Sequence, residues 1–369
     1  MQLDFSPDQE ALRDAVRDVL VKECPTATVR AHMDRVVRGE ASTAGDALWH
    51  TAVGLDWPAL CIPEDDGGIG LGPVELSLVA EELGRAITPG PISPTLLAFV
   101  ATLHAAGAHD ALAAVAAGST RGAVALADDG GIFEPGAVAV SARRDGDDWV
   151  LAGTKRNVLG ALEVDEIAVA VDAGGDIALA LVPASSASIT PIRVLDTTRT
   201  VGHVDLDGVR VAAERMHACG ATALVRAAEE IAMATSLELV GTCQAIFDTN
   251  VAYAKERVQF GVPIGSFQAV KHKLANMFVA IERARAVGIF AAATIEEDDA
   301  RRSSAASMAK AAAGECARLV AADGVQLLGG IGYTWEHDQQ MFVKRAKAGE
   351  VVHGTTAQHR ARVATLLGV

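Results

Sequence analysis

Arg257, Gln259 and Gln268 bracket a short run, Val258 to Phe267, that also holds Gly261, Pro263 and Gly265. A guanidinium is planar, permanently charged and able to grip two phosphate oxygens at once, while glycine lets a ligand approach the backbone closely. With two amides beside it, this set fits a pyrophosphate carrying a hydrogen-bonding ring. The same spacing also fits an ordinary corner between two helices with a surface arginine. The flanks demand such a corner. Leu239, Cys243, Ile246, Phe247 and Val251 upstream, and Val270, Leu274, Met277, Phe278 and Ile281 downstream, recur at helical spacing. No GxGxxG follows a strand-like run, so a Rossmann nucleotide site is not supported.

The chain has 369 residues, half of them hydrophobic, which is enough for a large core in two or three domains. Its net charge of -15 argues against a nucleic-acid partner, since binding a polyphosphate backbone requires a basic stripe. The five cysteines, Cys24, Cys61, Cys219, Cys243 and Cys316, are scattered and form no metal-ligand spacing, so they read as reduced core thiols. Met1-Gln2-Leu3-Asp4-Phe5 lacks the basic and apolar segments of a secretory leader, and no apolar run reaches the roughly 18 residues of a membrane span. A cytoplasmic location is the expectation by elimination.

In chain order, Ser6 to Ala117 reads as helical, with Ser6 as a cap and Pro7 in the first helical position. A loop with four glycines, Ile62 to Gly72, interrupts it. Between about Ala123 and Ala212 the pattern turns to short runs, among them Val138-Ala139-Val140, Trp149-Val150-Leu151, Ile167 to Val171 and Ala178 to Val182, separated by Asp and Gly turns. That predicts an antiparallel β domain. Helical spacing then returns over Thr222 to Arg257, Gln268 to Asp298 and Ser303 to Leu328, each long enough for a four-helix bundle. The expected class is α+β, with an N-terminal helical domain (1–120), a middle β domain (121–214) and a C-terminal four-helix bundle (215–369). An alanine-rich run, Ala305, Ala306, Ala309 and Ala311 to Ala313, suits close helix packing either within the bundle or against another subunit.

The run Arg257 to Gln268, continued by Ala269-Val270-Lys271-His272, closely resembles a signature of the acyl-CoA dehydrogenase family. Gln326-Leu327-Leu328-Gly329-Gly330-Ile331-Gly332-Tyr333 and Asp196-Thr197-Thr198-Arg199-Thr200 resemble two further family segments. The Ile62 to Gly72 loop, followed by a helix with Glu75, Glu81 and Glu82, looks like the family's N-terminal domain, where such a loop lines the acyl pocket. The resemblance implies FAD between the β domain and the bundle, with its ADP half gripped by a neighbouring subunit of a tetramer. Carried over, Arg257 holds the pyrophosphate, and Gln259, Phe260, Ile264 and Gln268 surround the adenosine end. Gln326, Gly329 and Gly330 meet the same half, and Thr355 is a further cofactor contact. The flavin-ring segments correspond to Ala127 to Gly136 and Lys155 to Gly160, which lack the family's tryptophan and hydroxyl side chains.

The family's reaction removes an α-proton from an acyl-CoA thioester with a carboxylate while the β-hydrogen leaves as hydride to the flavin. At the usual glutamate position, just before Gly354-Thr355, stands His353. Some members place the base on the helix before the signature; that register lands on Ile231, beside Glu229 and Glu230. His353 as base, Glu229 or Glu230 through a register shift, and a chain without its own base all remain open. The last reading resembles the heteromeric acyl-CoA dehydrogenases of bacterial steroid degradation, whose two unlike subunits carry half the usual number of flavins. The expectation is therefore FAD-dependent desaturation of a bulky, steroid-like acyl-CoA by a base-deficient subunit beside a homologous partner. The alternatives are an autonomous homotetramer using His353, and a non-catalytic structural partner. Electron-transfer flavoprotein is a candidate acceptor, and an oxidase would share the same motifs.

Overall fold

The computed structural model describes residues 5–40 and 44–369. The run Met1 to Asp4, read above for a leader, lies outside them. Among the described residues no helix is long and apolar enough to cross a membrane.

The N-terminal stretch forms α1 (Pro7–Glu23), α2 (Thr26–Arg38), α3 (Ala44–Val53), α4 (Pro73–Arg85), α5 (Ile92–Pro94), α6 (Val100–Ala106) and α7 (His109–Ala116). Ser6 caps α1 through a reciprocal pair: its hydroxyl accepts from the Gln9 amide, and the Gln9 side chain accepts from the Ser6 amide. The loop Ile62 to Gly72 is tied down, with the Ile69 and Leu71 amides donating to Ala59 and Leu60. Asp66 meets His109 Nδ1 at 2.9 Å, and Gly68 lies so close to Ile62 that a Cβ there would sit 1.9 Å from its carbonyl oxygen.

The middle stretch forms β1 (Gly122–Ala125), β2 (Ser141–Asp145), β3 (Asp148–Ala152), β4 (Thr154–Leu159), β5 (Glu166–Asp172), β6 (Ile177–Pro183), β7 (Ser188–Pro191), β8 (Val201–Asp205), β9 (Arg210–Val211) and β10 (Met216–His217). One sheet runs β10-β6-β5-β2-β3-β9 with β1 beside β5; a second runs β4-β8-β7. Most pairs are antiparallel as expected, but β5 takes both β1 and β2 in parallel, so the larger sheet is mixed. β5 and β6 bury both faces. Ile167, Val169 and Val171 pack into one core and Ala168 and Ala170 into another with Phe99, Leu103 and Leu112, which explains their unbroken apolar runs. Val138-Ala139-Val140 is not part of a strand: the Ala139 amide donates to the Asp128 carboxylate, and a side-chain acceptor replaces the ladder there.

The C-terminal stretch forms α8 (Gly220–Glu256), the hairpin β11 (Val258–Gln259) and β12 (Val262–Pro263), α9 (Gln268–Glu296), α10 (Arg302–Leu328), α11 (Gln339–Gly349) and α12 (Thr356–Leu366). The three long helices stand where helical spacing put them, and the short α11 and α12 pack on α10. Ala305, Ala306, Ala309, Ala311 and Ala313 are buried, so the alanine run serves packing within the chain.

Contacts divide the chain into two compact units, one of Met1–Arg30, Ser77–Ile87 and Met233–Val369, the other of Ala31–Leu76 and Thr88–Ala232. In the first, α4 and α8 cross with their backbones touching. A Cβ on Gly84 would lie 1.8 Å from the Glu238 carbonyl oxygen, one on Gly241 1.8 Å from that of Glu81, and the Thr242 hydroxyl donates to Gly84 O. Glu81 and Glu82 of α4 are committed to ion pairs with Arg285 at 2.9 Å and Arg17 at 2.6 Å.

Candidate active site

The corner between α8 and α9 is a two-residue β-hairpin whose turn, Phe260-Gly261, has φ of +53° and +79°. Both positive values are what a tight hairpin turn requires; the second position takes glycine without strain, and the first carries a phenylalanine. Phe260 is 93% exposed, and its ring makes a T-shaped pair with Phe267, at 6.1 Å between centroids. Arg257, Gln259 and Gln268 are exposed and Ile264 is half-buried. The Gln259 side chain donates to Val258 O, and the Arg257 carbonyl accepts from the Ile264 amide, closing the hairpin.

Gln326, Gly329 and Gly330 are exposed at the end of α10, and a Cβ on either glycine would meet nothing within 4 Å. An ion pair between Lys273 near the start of α9 and Asp323 near the end of α10 brings this glycine turn to the same end of the bundle as the hairpin. Asn250 near the end of α8 donates to Gln339 at the start of α11, also at that end.

His353 and Thr355 lie elsewhere. Their turn is bonded to Lys310, which at 1.5 Å per residue is about 24 Å along α10 from Gln326. His353 is half-buried with φ +54°, and its carbonyl accepts from His359 Nε2 at 3.0 Å. The Thr355 hydroxyl caps α12: it accepts from the Gln358 amide, and the Gln358 side chain accepts from the Thr355 amide. Thr355→Ala is therefore expected to cost about 1 kcal/mol of stability, read as a lower urea midpoint in the flavin-free chain. An unchanged midpoint would leave the hydroxyl without a capping role.

Glu229 and Glu230, near the start of α8, belong to the other unit. Glu229 is buried, whereas Glu230 is half-buried and bonds to no donor among the described residues. Burial pushes the Glu230 carboxyl up to about 7, against the pull of Arg226 one turn earlier. Burial, together with the Glu230 and Glu75 carboxylates, drives the nearby Cys61 thiol well above its ordinary range.

In the same unit, Ala127 to Gly136 and Lys155 to Gly160, the segments expected to meet a flavin ring, are bonded to each other. The ammonium of Lys155, fully buried, donates to Leu126 O at 3.0 Å and to the Asp128 carboxylate, and burial lowers its proton affinity. Asp128 also takes the Ala139 amide at 2.6 Å, and Asn157, at φ +56°, donates to Asp129 O at 2.8 Å. A Cβ on Gly130 would lie 2.9 Å from the Asn157 carbonyl oxygen. The two candidate segments thus differ. At the hairpin Arg257, Gln259 and Gln268 are exposed, whereas Lys155 and Asn157 are engaged with acceptors of this chain.

Residues 6–119 match the acyl-CoA dehydrogenase N-terminal domain and residues 210–367 the acyl-CoA dehydrogenase C-terminal domain. Over 345 residues the chain is 33% identical to acyl-CoA dehydrogenase IpdE2 of Mycobacterium tuberculosis, covering 92% of this chain and 91% of that one. The chain belongs to the acyl-CoA dehydrogenase family. Acyl-CoA dehydrogenases are FAD flavoproteins and oxidoreductases that act on the CH–CH bond of an acyl-CoA. Among solved structures, the Tcur3481-Tcur3483 steroid ACAD, in a variant form, is 28% identical with a TM-score of 0.87 over 98% of both chains. The ChsE4-ChsE5 complex from Mycobacterium tuberculosis superposes with a TM-score of 0.88 over 100% of this chain and 99% of that one; at 23% identity it shows the acyl-CoA dehydrogenase fold alone.

Reading the sequence did not single out Lys310, His359 or the Lys155–Asp128 pair. Lys310 had a signal, as the one cation inside an alanine run that buries nearly all its neighbours.

Proposed function

We propose that this acyl-CoA dehydrogenase chain is the base-deficient subunit of a hetero-oligomer that desaturates a bulky, steroid-like acyl-CoA. Its duty in that assembly is to hold the ADP half of an FAD whose ring belongs to a homologous partner. The observation that carries the reading is the inequality between the two segments: Arg257 and Phe260 stand exposed on a strained hairpin, while Lys155, Asp128 and Asn157 of the ring segments are bonded within this chain. Bound FAD supplies the acceptor for the β-hydride. Arg257 neutralises the diphosphate, Gln259 and Gln268 offer amides to the adenosine, Phe260 and Ile264 cover its apolar faces, and Gln326 with Gly329 and Gly330 lets the nucleotide lie against bare backbone. Residues 121–214 and 215–369 then have separate duties, the second gripping and the first not. His353 stands where the family carries a carboxylate, so the α-proton goes to a group of the partner. The two chain names of the Tcur3481-Tcur3483 steroid ACAD support both the pairing and the substrate class.

Purified alone, the chain is expected to be colourless and inactive; co-expressed with a homologue that has a glutamate at the position of His353, it is expected to give a yellow complex with one flavin per pair. A yellow, active lone chain ends this reading. One observation favours a second: Glu230 is half-buried, bonds to no donor among the described residues and is pushed by burial up to about 7, a value suited to a general base. If it is the base, Glu230→Gln in the active preparation lowers turnover by roughly 100-fold or more. Undiminished turnover removes Glu230 from consideration.

A further inference from the structure

Arg30, one turn into α2, is half-buried and lies in the same compact unit as the glycine turn at the end of α10. Its guanidinium donates to Trp335 O at 2.7 Å, to Glu336 O at 3.3 Å, and to the Asp338 carboxylate through Nε at 3.2 Å and Nη2 at 2.6 Å. A planar fork can hold two consecutive carbonyls and a carboxylate at once, which the point charge of an ammonium cannot. The held residues follow directly on the turn. Gly329–Tyr333 form a tight helical turn that Thr334 closes, its amide and hydroxyl both donating to Ile331 O. Thr334 alone then separates the turn from the first carbonyl in the grip of Arg30. From another side, the Lys344 ammonium stands over the Trp335 ring at 4.4 Å from its centre. Behind these residues the bonding is incomplete: both side-chain polar atoms of the buried Gln340, Nε2 of Gln339 and Oδ1 of Asn250 lack a protein partner among the described residues. Interior amides left unpaired do little to fix a segment, so its anchorage falls to the fork.

We propose that Arg30 is a positioning residue for the cofactor: by holding residues 335–338 it fixes the glycine turn against which the ADP half of FAD lies, and it does so without touching the nucleotide. The inference rests on the reading of Gln326, Gly329 and Gly330 as part of the ADP grip. A turn already held in place loses little further conformational freedom when its ligand arrives, and that saving appears as affinity. The fork is committed to acceptors of this chain, so its effect on a nucleotide passes through the turn. Asp338 distinguishes this from a direct role of the arginine charge. If Arg30 acted on the diphosphate as a charge, Asp338→Asn would unmask it and FAD would stay longer; as one half of an anchor, Asp338→Asn loosens the turn and FAD leaves sooner.

Release of FAD from the flavin-bearing enzyme, read as flavin passing a size-cutoff filter after dilution, tests the proposal. Arg30→Ala is expected to speed release roughly tenfold, the order of effect of freeing a segment that supports a binding site. Asp338→Asn should act in the same direction by less, and the double variant should release no faster than Arg30→Ala, because both substitutions break one contact. Arg30→Lys should fall between wild type and Arg30→Ala, since an ammonium still reaches one of the acceptors. Slower release in Asp338→Asn, additive effects in the double variant, or a lowered urea midpoint in Arg30→Ala with release unchanged overturns the proposal. Arg257→Ala, run in parallel, keeps the two claims apart. Flavin lost from Arg257→Ala but kept by Arg30→Ala ends this inference and leaves the ADP grip standing, whereas flavin kept by both removes the grip as well. If Arg30→Ala does not fold, Asp338→Asn decides: faster release supports the anchor, and unchanged or slower release ends it.

Discussion

Arg257→Ala is expected to release FAD from the assembled enzyme. The arginine is exposed, its backbone alone closes the hairpin, and its guanidinium is the group there suited to a diphosphate. Losing a charge-assisted fork costs about 2 to 3 kcal/mol, or roughly 30- to 150-fold in retention of the flavin. Arg257→Lys should fall between, because an ammonium offers a point charge without the planar pair of donors. Flavin absorbance after gel filtration of the co-expressed complex gives the result, with the urea midpoint of the flavin-free chain as the control that should not move. Full retention of flavin in Arg257→Ala would reduce the arginine to a surface residue of a helix corner and take the proposed ADP grip with it.

Gly241→Ala is expected to damage the fold itself. A Cβ at that position would lie 1.8 Å from the Glu81 carbonyl oxygen and 2.8 Å from the Arg85 amide nitrogen, both rigid backbone atoms of α4. The helices must separate, which disturbs the Thr242 bond to Gly84 and the ion pairs that Glu81 and Glu82 make with Arg285 and Arg17. The loss should be on the order of 3 kcal/mol, at the upper end of overpacking costs. Gly136→Ala is the matched control, because a Cβ there meets nothing within 4 Å. Its effect should stay within about 0.5 kcal/mol. Equal urea midpoints for the two variants would mean that the crossing yields without cost.

The long helices were legible because their apolar residues repeat over many turns, and α8, α9 and α10 begin and end within two residues of the positions that spacing indicates. The β region was legible as short apolar runs, but its strand directions were not. Nothing local to Gly122–Ala125 or Ser141–Asp145 says that both will lie parallel to Glu166–Asp172; that depends on partners far along the chain. Val138 to Val140 misled for a related reason, as a distant aspartate took the amide that a ladder would have used. The hairpin at Phe260-Gly261 could be located from its glycines and flanking helices, but the left-handed backbone of Phe260 could not, because phenylalanine gives no hint of it. The histidine at position 353, where the family resemblance leads one to expect a carboxylate, was visible at once. The bonds that the buried Lys310 ammonium makes to the carbonyls of Gly349, Glu350 and Gly354 were not, because carbonyl acceptors leave no mark on a sequence.

The bare ring of Phe260 also bears on how such a chain survives in a cell. A protruding phenylalanine on a solvent-facing bend, with the exposed side chains of Val258 and Tyr333 among its company on the same unit, is attractive to chaperones and to proteases that favour aromatic residues. Copies whose ring stays uncovered are therefore expected to be the first to precipitate or be degraded.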